Sequence, residues 1–129
     1  MTSFLKFLCP LIILFFNINC SYGQTTVVTN MNVAEFVEKY KSTPQAQLLD
    51  VRTPAECAQS NIAAATKCDF NDANFKQNAT KLDKTKPVFV YCAAGGRSAR
   101  ASKILEELGF TKIFNLKGAG NADLVKAGL

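Results

Sequence analysis

A cysteine, two glycines and an arginine stand close together in the chain and have the residue types of a reactive loop. Cys92 is followed by Gly95, Gly96 and Arg97. Cysteine reacts as its thiolate, and a nearby cation or a set of inward-pointing backbone amides stabilises that form. Glycine lets the backbone curl into such a cradle. This spacing therefore indicates a nucleophilic thiol held in an anion-binding loop.

The residues around this loop predict a strand before it and a helix after it. Residues 88–91 are all apolar or aromatic, as in a strand that is covered on both faces of a parallel sheet. From Ser98 to Leu108, apolar residues recur at helical spacing, and Gly109 supplies a stop. Cys92 is thus expected at the end of a strand, facing a helix N-terminus whose unpaired N–H groups favour an anion.

The same residues also have a purely structural interpretation. A single cysteine is commonly a small buried apolar residue, and glycines between a strand and a helix commonly form only a turn. Arg97 adds a permanent cation to the junction. The combination of Cys92, two glycines and Arg97 favours the reactive interpretation.

The motif resembles the active loop of the rhodanese-like family, which reads C-x-x-G-x-R and starts directly after a central strand. Cys92, Gly95 and Arg97 match it, and the resemblance extends over residues 48–118. It implies a sulfurtransferase in which Cys92 carries a sulfane sulfur as a persulfide, from a thiosulfate or polysulfide donor, and passes it to a thiophilic acceptor. Arg97 would orient the donor and brace the loop.

The resemblance also implies which residues bind the substrate. These loop residues are Ala93, Ala94, Gly95, Gly96 and Ser98. Their small side chains give the loop little specificity, and an alternative function is a sulfur-carrier or redox-partner module without efficient turnover. A third candidate is a phosphatase, but the related phosphatase loop reads C-x5-R, whereas this one is a residue shorter. The shorter loop implies a smaller anion.

Alternating strand and helix patterns predict a single α/β domain over residues 24–129, with a mainly parallel central sheet and helices on both faces. The resemblance makes this a rhodanese-like domain. Besides the strand before Cys92, strands are expected at residues 46–50, 66–70 and 112–116. Residues 24–30 are expected to be a short lead without a strand. The reactive loop then lies at the carboxyl ends of the strands, where open α/β sheets bind ligands.

Asp50 and Arg52 flank the end of a predicted strand, where an ion pair would fix the following loop. The resemblance places this pair near the active loop, so a role in shaping the pocket is the alternative. The chain contains no histidine, which excludes histidine-assisted catalysis and histidine metal ligands. We expect no metal and no organic cofactor, since persulfide chemistry requires neither.

Residues 1–23 have the pattern of a signal peptide. Lys6 is followed by a nearly continuous apolar stretch over 7–18 and by small residues up to Gly23. The stretch is shorter than the roughly 20 residues that a membrane span needs. We therefore expect cleavage and an exported protein, periplasmic or secreted, without stable membrane insertion. A membrane anchor and a lipoprotein modified at Cys20 remain the alternatives.

The charge of the chain is modestly basic, with a formal net charge of +5. Its lysines are scattered rather than clustered, so nucleic-acid binding is not indicated. The excess is compatible with attraction of small anions. The expected partners are a small sulfur-containing anion or a protein thiol acceptor, and we expect a monomer.

Cys57 and Cys68 would accompany Cys92 in the exported chain. The resemblance aligns them with core positions of the family, so both are expected to point inward. One hypothesis is two buried, inert thiols. The other is a disulfide formed in an oxidising compartment, which would close a loop of about 12 residues and contribute roughly 3 kcal/mol.

Overall fold

The computed structural model describes residues 25–129, which form a single mixed α/β layer structure. The described strands are β1 (Val27–Met31), β2 (Gln47–Asp50), β3 (Ala65–Lys67), β4 (Val88–Tyr91) and β5 (Lys112–Leu116). The described helices are α1 (Val33–Ser42), α2 (Pro54–Gln59), α3 (Phe75–Ala79), α4 (Gly96–Glu107) and α5 (Asn121–Lys126). The expected signal peptide, residues 1–23, lies outside the described residues, as does Cys20.

The five described strands form one parallel sheet in the order β1-β5-β4-β2-β3. β4 is therefore the central strand, with β5 on one side and β2 on the other. The register pairs Asp50 of β2 with Tyr91 of β4, so that the segments after both residues start at the same edge of the sheet. The predicted fold class, an α/β domain with a parallel sheet, is confirmed.

The central strand is apolar throughout because both of its faces are covered. Val88 and Val90 point into a core formed with α3 and α4, and Cys92 continues on that face. Phe89 and Tyr91 point into a second core formed with α1 and α5. All four β4 residues are buried. This period of two places the sulfur of Cys92 on the α4 side, next to the start of that helix.

Aromatic rings fill the core between the sheet and α1. The ring centroid of Phe89 lies 5.3 Å from that of Phe36, 5.4 Å from that of Tyr40 and 4.6 Å from that of Phe114. Such contacts add to the hydrophobic effect of burying each ring. Phe89 thereby holds β4, and with it the segment that begins at Cys92, against the helical layer.

Two helices begin with the reciprocal hydrogen bonds of a capping box, a pattern that the sequences of residues 32–35 and 53–56 carry. The Asn32 side chain accepts from Glu35 N, and the Glu35 carboxylate accepts from Asn32 N. Thr53 and Glu56 do the same at α2, where Pro54 is the first helical residue. These caps fix the directions in which α1 and α2 leave the sheet.

The structure differs from the sequence prediction at both edges of the sheet. Residues 27–31 pair with β5 and form β1, although a lead without a strand was expected. This strand was missed because its residues stay half exposed and therefore show no apolar pattern. β3 ends at Lys67 rather than at residue 70. After Lys67 the chain leaves the ladder, and Cys68 N bonds to Asp50 O while Phe70 N bonds to Val51 O.

Across residues 25–129, no helix combines the length and the apolarity needed to cross a membrane.

Truncation of Phe89 should destabilise the domain strongly, because its ring contacts three other rings and is fully buried. We expect Phe89→Ala to lower the free energy of unfolding by about 3–5 kcal/mol, measured by urea denaturation. Val27→Ala, at a residue that is 57 % exposed, is the control and should change it by less than about 0.5 kcal/mol. Equal effects of the two variants would contradict this account of the core.

Candidate active site

Cys92 lies directly after β4, and the loop that follows it curls back over its sulfur. Gly95 precedes α4 with a φ of 100°, a left-handed conformation that glycine adopts without strain. This turn aims the Gly95 backbone N–H at the sulfur, and N and Sγ are 3.0 Å apart. The hydroxyl oxygen of Ser98, in the first turn of α4, lies 3.7 Å from Sγ. The loop therefore surrounds the sulfur with hydrogen-bond donors.

These donors make Cys92 more acidic than an ordinary cysteine. Burial alone raises the pKa of Cys92, because it disfavours the charged thiolate. Hydrogen bonds from the backbone N–H groups of Ser98, Ala94 and Gly95, and from the Ser98 hydroxyl, outweigh that effect, so the pKa of Cys92 is lowered. The predicted amide cradle is therefore the feature that favours the thiolate.

Cys57 and Cys68 are free thiols in the structure, rather than the disulfide that one hypothesis predicted. Both are buried. The Cys57 sulfur lies 3.6 Å from Asp50 Oδ2, and the Cys68 sulfur lies 3.9 Å from the carbonyl oxygen of Phe75. Burial raises the pKa of both thiols. Among the three described cysteines, only Cys92 has an environment that favours the nucleophilic form.

Arg97 forms a paired contact with a carboxylate that the sequence did not single out for this site. Its Nη1 and Nη2 each donate to one oxygen of Glu56, both at 2.7 Å. Bidentate pairs of this kind are geometrically rigid. Arg97 therefore braces the loop against α2, and its two terminal nitrogens point to Glu56. In the sequence, Glu56 matches only the capping-box pattern of α2, because a pairing across 41 positions leaves no local signal.

Asp50 and Arg52 form a buried ion pair next to the loop, with Arg52 Nη2 2.7 Å from Asp50 Oδ2. The Asp50 carboxylate is fully buried and also accepts from the backbone N and Nε of Arg52. The Tyr91 hydroxyl donates to it at 3.0 Å. Burial, followed by the charge of Asp50, raises the pKa of Tyr91 far above its ordinary value. The pair therefore joins the ends of β2 and β4.

The same arginine connects this ion pair to the backbone of Cys92. Arg52 Nη2 donates to Ser60 O at 2.7 Å and to the side-chain oxygen of Asn121 at 3.0 Å. Asn121 is the first residue of α5, and its backbone N–H donates to the carbonyl oxygen of Cys92 at 2.9 Å. Asn121 thus links the Asp50–Arg52 pair to the backbone of Cys92.

Gly120 lets the segment before α5 approach the loop closely. A Cβ at Gly120 would overlap the carbonyl group of Ala93 and lie 2.6 Å from the carbonyl oxygen of Cys92. On the other side of the loop, a Cβ at Gly95 would lie only 2.8 Å from Gly118 N. No local sequence pattern places Gly120 or Asn121 in the site, since their contacts depend on the strand order.

The rim of the loop is open and carries small side chains. Ala93, Ala94 and Gly96 are exposed, whereas Cys92 itself is buried at 1 % exposure. A cavity of about 260 Å³ lies beside Ala93, and its polar lining consists of Arg52, Glu56, Gln59, Ser60 and Asn121. Another cavity, of about 400 Å³, has Cys57 and Cys68 among its lining residues, and none of its lining residues belongs to the loop.

The fold and the site together define a class of protein: a parallel α/β domain with a thiolate cradle at the carboxyl edge of its sheet. The family model of the rhodanese-like domain matches residues 33–122, and the chain belongs to this family. The family expected from the loop motif is thus confirmed.

Relatives and a solved structure resemble most of the described chain. An uncharacterised protein of Bacillus subtilis (strain 168), YqhL, is 35 % identical over 95 residues, which cover 74 % of this chain and 71 % of that protein. A protein of Allochromatium vinosum named sulfurtransferase is 28 % identical over 92 residues, 71 % of this chain and 84 % of its own length. A rhodanese-related protein from Thermoplasma volcanium, at 28 % identity, has a similar crystal structure with a TM-score of 0.63, covering 78 % of this chain and 93 % of that one.

The Glu56–Arg97 pair should make stability depend on pH in the acid range. The hydrogen bond from Arg97 to Glu56, together with the bonds from Thr53, lowers the pKa of Glu56 from 4.5 to about 2. A lowered pKa in the folded state means that the stabilisation is complete above the unfolded value and is lost as the pH falls towards the folded one. We expect Glu56→Gln, which keeps the cap of α2, to flatten that part of the pH profile in urea denaturation.

Glu38→Gln is the matched control, because it removes the same charge from the exposed surface of α1. Its profile should fall with decreasing pH as the wild type does. A Glu56→Gln profile that coincides with the wild-type profile would contradict the pairing.

Gly120→Ala should disturb the cradle, because the added methyl group has no space beside the carbonyl of Ala93. We expect a loss of about 1–3 kcal/mol in the free energy of unfolding and a rise in the Cys92 pKa, measured from thiol alkylation rates against pH. Gly96→Ala adds the same group where no atom lies within 4 Å and should leave both quantities near the wild type. Unchanged thiol titration in Gly120→Ala would contradict the role of this close approach.

Proposed function

We propose that this protein is a sulfurtransferase that carries sulfane sulfur as a persulfide on Cys92. The observation that supports it best is the contrast among the described thiols: the loop lowers the pKa of Cys92, while burial raises the pKa of Cys57 and Cys68. Membership of the rhodanese-like family, with a relative named sulfurtransferase, agrees with this chemistry.

In the first half-reaction, the Cys92 thiolate attacks the outer sulfur of a sulfane donor. A bond forms between Sγ and that sulfur, the sulfur–sulfur bond of the donor breaks, and its electron pair leaves with the remainder of the donor as an anion. The new sulfur lies about 2 Å further out than Sγ, towards the open rim. The amides of Ala94, Gly95 and Ser98 and the Ser98 hydroxyl favour negative charge on Sγ, and so favour the attacking thiolate.

In the second half-reaction, a thiophilic acceptor attacks the outer sulfur of the persulfide. The bond to Sγ breaks, its electron pair returns to Cys92, and the cradle again holds a thiolate. No net oxidation occurs, because the transferred sulfur keeps its oxidation state. The acceptors we propose are cyanide, a small thiol or a protein cysteine, and neither half-reaction requires a metal or an organic cofactor.

A second candidate is a sulfur-carrier module that serves a protein partner and turns over small donors slowly. The exposed Ala93, Ala94 and Gly96 favour it, because a rim without large side chains leaves room for a partner surface. Turnover with a small acceptor compared with turnover with a protein thiol separates the two. A phosphatase is disfavoured, since the spacing from Cys92 to Arg97 is one residue shorter than in the related phosphatase loop.

We also propose that the protein acts after export, as a periplasmic or secreted monomer. The support is the sequence pattern of residues 1–23, which has a cationic start, a short apolar stretch and small residues before position 24. Its proposed reaction partners are the small sulfur-containing anions and the protein thiols of that compartment.

Replacement of the reactive sulfur should abolish sulfur loading and leave the fold in place. We expect Cys92→Ser to gain no sulfur after exposure to a sulfane donor, measured by intact mass, because the oxygen cannot form the persulfide. Circular dichroism should match the wild type, since the volume changes little.

Cys68→Ala is the matched control, because it removes a buried thiol outside the loop. It should gain one sulfur atom, as the wild type does. Loading of Cys92→Ser to the wild-type level would end the proposal, and so would a wild-type protein that gains no sulfur from any sulfane donor.

A further inference from the structure

A cavity outside the reactive loop lies between α2, the chain on either side of Cys68, and α3 with the turn that follows it. Its volume is about 400 Å³, and its apolar lining consists of Leu49, Pro54, Leu82 and the two buried thiols, Cys57 and Cys68. Ligand-binding cavities in proteins commonly enclose about 300–1,000 Å³. The space is therefore sufficient for a small organic molecule.

The two thiols are uncharged parts of this lining. Cys57 is 2 % exposed and Cys68 is 6 % exposed, and burial raises the pKa of both. Each thiol therefore stays protonated at neutral pH, and a protonated cysteine packs as a small apolar side chain. Together with the fully buried Leu49, the thiols form a surface that suits the apolar part of a ligand.

Positive charge lies at the Cys57 end of the cavity. The charges of Arg52 and Lys67 act on the Cys57 thiol and oppose the effect of burial on its pKa. Arg52 is already matched by a carboxylate, since its Nη2 lies 2.7 Å from Asp50 Oδ2. The ion pairs of residues 25–129 do not include Lys67. Lys67 is thus the cation left to meet a ligand carboxylate at this end.

Negative charge is in excess at the Cys68 end. After burial, the charges of Asp72 and Asp69 raise the pKa of this thiol further, and Lys81 opposes them. No ion pair of the described chain includes any of these three charged residues. Each aspartate accepts a backbone N–H bond through one oxygen, which leaves its second oxygen available. Since Arg97 also acts on Asp69, Asp72 is the carboxylate left to meet a ligand ammonium group.

We propose that this cavity binds a dipeptide with an apolar side chain and free termini, at a site separate from the sulfur-transfer loop. The ammonium group of the dipeptide pairs with Asp72 and its carboxylate with Lys67, while its side chain lies against the two thiols. The lining also contains the Thr66 hydroxyl and the Asn78 amide, which can hydrogen-bond to the peptide unit between the termini.

The charges around the cavity favour this class of ligand over simpler ones. The two lysines and two aspartates of the lining sum to zero, so a plain anion or cation is repelled by as many of them as attract it. At the Cys68 end, Lys81 balances one of the two aspartates. The remaining opposite charges face different thiols, so an amino acid, whose two charges share one carbon atom, cannot pair with both as a dipeptide can.

Titration of the isotope-labelled protein with alanyl-leucine, followed by amide NMR shifts, tests the proposal. We expect saturable shifts at Thr66, Cys68 and Asn78, and smaller changes at residues 93–96. N-acetyl-alanyl-leucine lacks the ammonium group, alanyl-leucine amide lacks the carboxylate, and free leucine carries both charges on one carbon. The dissociation constant of each should be about threefold higher or more, because one exposed ionic contact is lost.

Two variants assign the two ends of the ligand. Lys67→Gln should raise the dissociation constant of alanyl-leucine about threefold to fivefold and leave that of its amide unchanged. Asp72→Asn should weaken alanyl-leucine to the same extent and leave the acetylated dipeptide unchanged. It keeps the bond from Asn74 N, because an asparagine oxygen also accepts. Lys103→Gln and Glu38→Gln remove equal charges from exposed positions on α4 and α1, and both should bind as the wild type does.

The comparison of ligands uses wild-type protein and therefore decides the proposal even if a variant does not fold. Absence of saturable shifts, shifts confined to residues 93–96, or equal affinities of the dipeptide and its blocked forms would each overturn it. An unchanged affinity for alanyl-leucine in folded Lys67→Gln or Asp72→Asn would overturn it as well. Because the assay contains no sulfur donor, none of these results bears on sulfur transfer to Cys92.

Discussion

The buried carboxylate of Asp50 is the constraint on which the arrangement of the site depends. A charge without solvent costs several kcal/mol unless partners replace the lost hydration. Here Arg52 supplies the countercharge and Tyr91 a further donor. Satisfying Asp50 fixes the end of β2 against β4, and Arg52 Nη2, which bonds Asp50, also bonds Ser60 and Asn121. The partners that the buried Asp50 carboxylate requires thus also position the loop that begins at Cys92.

Different groups stabilise the thiolate and hold the loop in place, although a single positive charge could do both. The backbone amides of Ala94, Gly95 and Ser98 stabilise the thiolate directly. Arg97 instead holds the loop through Glu56. Amide dipoles fixed by backbone geometry need no reorganisation when charge develops, whereas a free guanidinium would attract any dianion. The site therefore stabilises the sulfur anion through the fixed geometry of its backbone amides.

The sequence predicted the parts of this protein whose signals are local. The apolar run before Cys92, the caps at Asn32 and Thr53, and the loop motif each lie within a few residues, and the α/β fold followed from them. The edge strand β1 was missed because a half-exposed strand has no apolar period. Glu56, Gly120 and Asn121 were missed as site residues because their contacts join distant segments. Only the strand order brings those segments together.

The hydrogen bond from Asn121 N to the Cys92 carbonyl oxygen joins the loop to a segment that the ribosome makes later. During synthesis Cys92 emerges first, in a chain that lacks one of the contacts holding its backbone. Its thiol then has a more nearly ordinary acidity and so a smaller thiolate fraction at neutral pH. The completed domain alone provides the full cradle. Formation of the complete cradle therefore depends on the docking of α5, although the loop itself precedes α5 in the chain.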